Sequence, residues 1–101
     1  MANDITANPL ALDTVSTTAL TTKTFTVFMI RWVAPSAVAG NQSSVTNNAG
    51  TTIWATVASG ANYVEESHYE EKPLVFEGLK LPVLDSGKLY LYVYSAVPIA
   101  T

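Results

Sequence analysis

Apolar and aromatic residues alternate through residues 88–94, Lys-Leu-Tyr-Leu-Tyr-Val-Tyr. Because successive side chains of a strand point to opposite faces, this pattern predicts a β-strand with two distinct faces. The aliphatic face, which belongs to the core, carries Leu89, Leu91 and Val93. The other face carries Tyr90, Tyr92 and Tyr94. Three phenols in a row predict that this second face is also covered, by loops of the same chain or by another chain.

Residues 24–33 predict a second, longer strand whose two faces are both apolar. A strict period of two places the odd positions on one face: Phe25, Val27, Met29 and Val33. It places the even positions on the other: Phe28, Ile30 and Trp32. Two apolar faces are typical of a central strand in a small sandwich. Arg31 shares the face of Met29, with its head group in water.

A hairpin is predicted over residues 43–57. Its turn is the tetrapeptide 47–50, Asn-Asn-Ala-Gly, which suits a type I turn closed by a glycine in the left-handed region. In the second strand Trp54 is either a core residue at the end of the sandwich or an exposed anchor. The core position is the favoured interpretation.

Residues 65–83 contain charged residues together with proline and glycine, which interrupt regular structure. Residues 65–73 hold four glutamates and end at Pro73, which predicts a surface loop. Residues 74–76 predict a short strand and residues 77–78 a turn. Residues 79–83 then predict an edge strand, since Pro82 has no amide to give to a ladder.

Residues 1–22 predict an extended N-terminal arm in front of a β-sandwich domain at residues 23–101. The arm carries four apolar anchors whose spacing fits neither a helix nor a strict alternation: Leu10, Leu12, Val15 and Leu20. An extended arm of this length reaches up to about 70 Å, enough to cross onto another subunit. The alternative is a frayed terminus. The predicted fold class is therefore all-β, a small antiparallel β-sandwich, jelly-roll-like, with an extended N-terminal arm.

The composition of the chain argues against several classes of function. The chain of 101 residues has the size of one domain, and it contains no cysteine for disulfides or thiolate metal sites. A net charge of −3 with five Lys and Arg gives no basic surface for nucleic acid. The apolar runs are far shorter than the roughly 20 residues of a membrane span, and the N-terminus lacks the pattern of a signal peptide.

Charge is unevenly placed along the chain. No Asp, Glu, Lys or Arg occurs in residues 32–64, whereas five of the eight acidic residues fall in residues 65–77. A monomer usually spreads charge over its surface to remain soluble. The neutral stretch therefore favours a surface that packs against neighbouring molecules, with a Thr-rich sheet of neutral faces as the alternative.

The candidate chemistry is sparse. His68 is the one histidine, and with no second His or Cys it lacks the ligands of a zinc site. No Gly-x-Ser-x-Gly elbow accompanies it, and adjacent hydrated glutamates do not form a carboxylate pair with a raised pKa. We expect no catalytic residues, no cofactor and no metal, and a protein that is not an enzyme.

The aromatic residues suggest two kinds of partner. Trp32, Trp54 and the tyrosines supply rings that stack on a sugar, but few polar groups stand beside them to orient one. Tyrosine and tryptophan are also favoured at protein interfaces. The candidate interface residues are the arm anchors together with Trp54, Tyr90, Tyr92 and Tyr94.

Short turn and strand sequences spread over most of the chain carry a family resemblance. They are residues 8–14 (Asn-Pro-Leu-Ala-Leu-Asp-Thr), 30–33 (Ile-Arg-Trp-Val), 48–54 (Asn-Ala-Gly-Thr-Thr-Ile-Trp), 58–66 (Ala-Ser-Gly-Ala-Asn-Tyr-Val-Glu-Glu), 78–82 (Gly-Leu-Lys-Leu-Pro) and 84–92 (Leu-Asp-Ser-Gly-Lys-Leu-Tyr-Leu-Tyr). In these the chain resembles the small all-β virion proteins of tailed bacteriophages.

The resemblance implies a structural role, either decorating or cementing the capsid or forming a minor part of the head or tail. It implies a protein made in the host cytoplasm and located in the virion. Its partners would be copies of itself and the major capsid protein or another virion protein. The alternative is a carbohydrate- or receptor-binding module on the same particle.

Overall fold

The structure is a computed structural model that describes residues 3–5 and 7–94. These residues form seven strands: β1 (Leu10–Leu12), β2 (Ser16–Ala34), β3 (Gln42–Thr46), β4 (Thr52–Val57), β5 (Tyr63–His68), β6 (Leu74–Leu84) and β7 (Lys88–Val93). The strand order is β1-β7-β2-β6-β3-β4, with β5 paired to β2, and all of these pairings are antiparallel. The predicted all-β class, a small antiparallel sandwich, is confirmed.

The long strand β2 connects the two halves of the sandwich. Its first part, from Ser16 to Val27, pairs with β6. Its second part pairs with β7 on one side and, from Met29 to Ala34, with β5 on the other. β2 is therefore the central strand that its two apolar faces predict.

A β-bulge at Phe28 reverses the side-chain phase of β2. Val27 pairs with Val93 whereas Met29 pairs with Tyr92, so β2 has one extra residue opposite β7. As a result Val27 and Ile30 are both fully buried. The predicted strict alternation, with Met29 on the face of Val27, is wrong because a bulge shifts the period of two by one residue.

The core lies between the strands and is almost entirely apolar. Its largest fully buried side chains include Trp32, Phe76, Leu10, Leu12, Ile30, Leu79, Leu81, Leu89 and Leu91. The indole of Trp32 donates a hydrogen bond of 2.8 Å to the carbonyl of Ser86. The rings of Phe25 and Phe76 stack with centroids 5.2 Å apart.

In the described part of the segment predicted as an arm, residues 10–12 and 16–22 lie in strands of the sandwich. β1 pairs with β7, and Leu10 and Leu12 are fully buried, because two leucines at period two point to the same face. The side-chain amide of Asn8 both donates to and accepts from the backbone of Val93. β2 begins at Ser16, so the described chain has no break at residue 22.

The hairpin of β3 and β4 agrees with its prediction. The side-chain oxygen of Asn47 accepts hydrogen bonds from the amides of Ala49 and Thr51. The Gly50 amide donates to the Asn47 carbonyl at 3.1 Å, and Gly50 has φ of 89°. This is the left-handed residue that the Asn-Asn-Ala-Gly sequence predicts.

Three predictions between residues 65 and 84 are wrong: a loop at residues 65–68, a turn at residues 77–78 and an edge strand at residues 79–83. Residues 65–68 are not loop but belong to β5, because they pair with β2 from Met29 to Trp32. Residues 74–84 form the single strand β6, which pairs with both β2 and β3 and is not an edge. Gly78, with φ of 88°, lets β6 continue through the predicted turn. Pro82 lies where the β3–β6 register is irregular, so no regular ladder bond is lost there.

The turn from β6 into β7 approaches β2 closely at Gly87. A Cβ at this position would lie 2.1 Å from the carbonyl oxygen of Val33, and Gly87 has φ of 74°. Gly60, in the turn before β5, has open space around the same position. The two turns therefore differ in how much side chain they accept.

Candidate functional site

The outer face of β7, β2 and β5 forms the candidate site. Strand register places its side chains in three rows: Lys88 with Val33 and Val64, Tyr90 with Arg31 and Glu66, and Tyr92 with Met29 and His68. The inner face of the same strands holds core residues such as Trp32 and Leu91. The outer face combines aromatic rings at one edge with charged groups at the other.

The aromatic cluster consists of Phe28, Tyr92 and Tyr94. The bulge turns Phe28 out of the core, and its ring lies 4.6 Å from that of Tyr94 and 6.1 Å from that of Tyr92. The backbone supports this position, since the Phe28 carbonyl accepts a 2.7 Å hydrogen bond from the Tyr69 amide. Tyr94 is 58% exposed. Phe28 and Tyr92 are half-buried, so Tyr94 contributes most of the exposed aromatic surface of the cluster.

The ionic cluster consists of Arg31, Glu66, His68 and Glu70. Arg31 Nε lies 3.2 Å from Glu66 Oε2. The ring of His68 lies between two carboxylates, with Nε2 3.5 Å from Glu66 Oε1 and Nδ1 3.1 Å from Glu70 Oε2. All of these groups are at least partly exposed, so each pair contributes little to stability and the cluster chiefly fixes side-chain orientation.

The carboxylates favour the charged imidazole. The hydrogen bond with Glu70 is the main cause that raises the pKa of His68 above its ordinary 6.5, with Glu66 adding to it. The same contact lowers the pKa of Glu70 below its ordinary 4.5. A positive charge on His68 is thereby stabilised between two negative ones.

The geometry of this cluster does not suit a metal ion. Glu66 and Glu70 lie against opposite ring nitrogens of His68, so the two carboxylates do not converge on one point together with a ring nitrogen. Within residues 3–5 and 7–94, no group of three or more His, Cys, Asp or Glu side chains is arranged to hold a metal.

A groove of ≈ 500 Å³ lies next to β2 and β7. It is lined by Val33, Pro35, Gly87 and Tyr90 and by the charged residues Asp13 and Lys88. The groove is largely apolar with one charge of each sign, and the ring of Tyr90 is a surface on which a planar or sugar ring can stack.

The predicted interface residues fall into three groups. Leu10, Leu12 and Trp54 are buried in the core of this chain and present no surface, and the Trp54 indole donates to Ser67 Oγ at 3.1 Å. Val15 is exposed and Leu20 packs partly against the core, both away from the tyrosines in sequence. The three tyrosines lie on the candidate face, and two of them, Tyr92 and Tyr94, join the aromatic cluster.

Sequence reasoning missed Phe28 and the ionic cluster. A period of two assigns Phe28 to the face of Ile30, and no residue type at positions 27–29 marks the bulge. Arg31 and Glu66 meet only through the register of β2 with β5. The concentration of glutamates after Val64 is the available sequence signal for the ionic cluster, but by itself it predicts a solvated loop.

Comparisons of this chain with protein families, with curated proteins and with solved structures gave no match. In the described part of the chain, no helix has the length and hydrophobicity of a membrane-spanning segment.

Proposed function

We propose that this protein is a structural protein of a tailed-phage particle, a capsid decoration or cement protein. It binds copies of itself and the major capsid protein or another virion protein, and it does no chemistry. The resemblance of its turn and strand sequences to small virion proteins supports the particle as its location. The exposed aromatic cluster supports docking to protein.

The aromatic cluster is the observation that carries the proposal. Phe28 lies at the bulge of β2 and Tyr92 lies within the pairing of β2 with β7, while Tyr94, one residue beyond β7, donates a backbone hydrogen bond of 3.1 Å to the Thr26 carbonyl. Rigid aromatic side chains lose little conformational entropy on binding and are enriched among residues that dominate interface energies. With Leu10 and Leu12 buried in the core, this face takes the docking role that the sequence assigned to the arm.

Repetition makes a small contact effective. Burying one aromatic side chain contributes about 1.5–3 kcal/mol, which is modest for a single complex. A cement protein acts at many equivalent positions on a shell, so modest contacts add up over the particle. The neutral stretch at residues 32–64 avoids like-charge repulsion between neighbouring copies.

Quantitative mass spectrometry of purified phage particles tests the proposal. We expect many copies per particle, and we expect particles assembled without the protein to break at a lower temperature. Tyr94→Lys should reduce the copy number, because it places a charge in the aromatic cluster, whereas Tyr94→Phe should not. A particle with only a few copies, or equal incorporation of Tyr94→Lys, contradicts the proposal.

The groove at Tyr90 favours a second candidate function, binding of a carbohydrate or receptor. Its lining combines the ring of Tyr90, on which a sugar can stack, with the charged side chains of Asp13 and Lys88. A glycan array with the wild-type protein and with Tyr90→Ala separates the two functions. Glycan binding that depends on Tyr90, from a protein present in few copies, would favour the second candidate over the first.

A further inference from the structure

Strand β4 has a free edge. It pairs with β3 on one side, and the described residues place no strand on its other side. The backbone of Ala58, one residue beyond β4, is hydrogen-bonded to the residues that precede β3: its amide donates to the Asn41 carbonyl and its carbonyl accepts from Gly40. Because direction alternates along a strand, the N–H and C=O groups of Val57 and Ala55 point away from β3.

The side chains of β4 leave this edge open and neutral. Trp54 and Thr56 point inward, toward β5, whereas Ala55 and Val57 are exposed on the outer face, Val57 at 53%. β4 contains no charged residue, proline or glycine. Natural edge strands usually carry such residues to prevent pairing with another chain. β4 thus lacks charge and proline as protection, and its one bulge, between Thr52 and Trp54, lies outside the stretch from Ala55 to Val57.

Strand β5 of the same molecule carries charged residues, which protect a strand edge from pairing with another chain. Among the described residues it too pairs with a single strand, but Glu65, Glu66 and His68 lie along it. A second copy of β5 placed beside it would bring these carboxylates together. A second copy of β4 places no charged side chain of β4 against another, since the charge-free stretch covers all of this strand.

The geometry points to an antiparallel pairing of β4 with β4 of a second copy, about a two-fold axis at Thr56. In this register Ala55 lies opposite Val57 of the partner subunit and Val57 lies opposite Ala55 of the partner subunit. Each such pair exchanges two backbone hydrogen bonds, which uses the groups that point away from β3. The result is a sheet that continues from one copy into the other.

Two exposed valines lie at or near this end of β4. Val57 is 53% exposed, and Val38, in the turn before β3, is 63% exposed. The turn that carries Val38 is hydrogen-bonded through Gly40 and Asn41 to Ala58 at the end of β4. Cross-strand apolar pairs stabilise such an addition beyond its backbone bonds.

This inference rests on the proposed function only for its premise that copies of this chain meet, and it concerns a different surface from the aromatic cluster.

The test is sedimentation equilibrium of the purified chain over a range of concentrations. We expect a monomer–dimer equilibrium that Val57→Lys weakens about tenfold or more, because two added ammonium groups then flank the pair. Val75→Lys is the matched control, since Val75 is a similarly exposed valine on β6, outside β4 and outside the candidate site.

Amide hydrogen exchange of the wild-type chain tests the same inference without a substitution. The amides of Ala55 and Val57 should exchange rapidly at low protein concentration and slowly at high concentration. A chain that is monomeric throughout, or a dimer that Val57→Lys leaves intact, overturns the inference. The two proposals can also fail separately. If the chain forms the expected dimer but is present in only a few copies per particle, the proposed function is contradicted and the β4 pairing is supported.

Discussion

Strands β4 and β5 each have six residues, and each pairs with one neighbouring strand in the part of the chain that the structure describes. The two strands contact one another through side chains. Trp54 of β4 donates to Ser67 of β5, and the hydroxyl of Thr56 donates to Glu65 at 2.7 Å. The two strands differ in charge: β4 has none, whereas β5 has two glutamates and the histidine. The comparison shows that one sandwich can keep one edge protected by charge and leave another open.

The largest loss of stability is expected when Trp54 is replaced, because this buried side chain joins β4 to β5 from within the core. Trp54→Ala removes a buried ring and its hydrogen bond, and should lower the free energy of unfolding by about 3–5 kcal/mol. Trp54→Phe keeps most of the packing and should cost clearly less. Urea unfolding measures both. A Trp54→Ala loss as small as that of Trp54→Phe would show that the ring does not couple β4 to β5.

The next effect concerns Glu65, a half-buried carboxylate on the inner face of β5 that also accepts a hydrogen bond from the Tyr63 hydroxyl. That bond is the main cause that raises the pKa of Tyr63 above its ordinary 10.0. A double-mutant cycle of Thr56→Val with Glu65→Ala should give a coupling free energy of about 1–2 kcal/mol. The same cycle with the exposed Thr52→Val should give none. Equal coupling for both threonines would mean that Thr56 does not bond Glu65 in solution.

A smaller effect is expected for the outer-face ion pair of Arg31 and Glu66, whose side chains are both 42% exposed. A cycle of Arg31→Met with Glu66→Gln should give about 0.2–1 kcal/mol, because solvent screens an exposed pair. Added salt should reduce this coupling further. A coupling that salt leaves unchanged would contradict an electrostatic origin.

The smallest effect is a pH dependence from His68 and Glu70. Because the folded-state pKa of His68 is raised, its contribution is complete below the ordinary value of 6.5 and is lost as pH rises through the folded value. Because the pKa of Glu70 is lowered, its contribution is complete above 4.5 and is lost as pH falls through the folded value. The wild-type protein should therefore be most stable relative to the His68→Gln variant between pH 4.5 and pH 6.5. Thermal unfolding of both proteins at a series of pH values measures this difference. A variant with the same pH profile as wild type would rule out the contact.

Local sequence signals predicted the parts of the fold that depend on neighbouring residues. The turn at Asn47 and Gly50 was predicted because its hydrogen bonds lie within five residues. The alternation in β7 was predicted because both of its faces are chemically uniform along the strand. The aliphatic side of that strand is buried as expected.

The remaining features depend on contacts between segments far apart in sequence. β5 carries polar residues on both faces, and it is a strand because it pairs with β2. Pro82 indicated an edge only because the irregular β3–β6 register could not be seen from the sequence. For the candidate site, the tyrosine face was visible in advance, whereas Phe28 reached it through a bulge that leaves no residue signature.

The contrast between Gly87 and Gly60 has a practical consequence for engineering this protein. A foreign peptide displayed from the turn at Gly60 would extend into open space and leave the strands in place. The same insertion at Gly87 would push against the backbone of Val33 and separate β7 from β2, on which the aromatic cluster depends. Display libraries and affinity tags therefore belong at the first turn and not at the second.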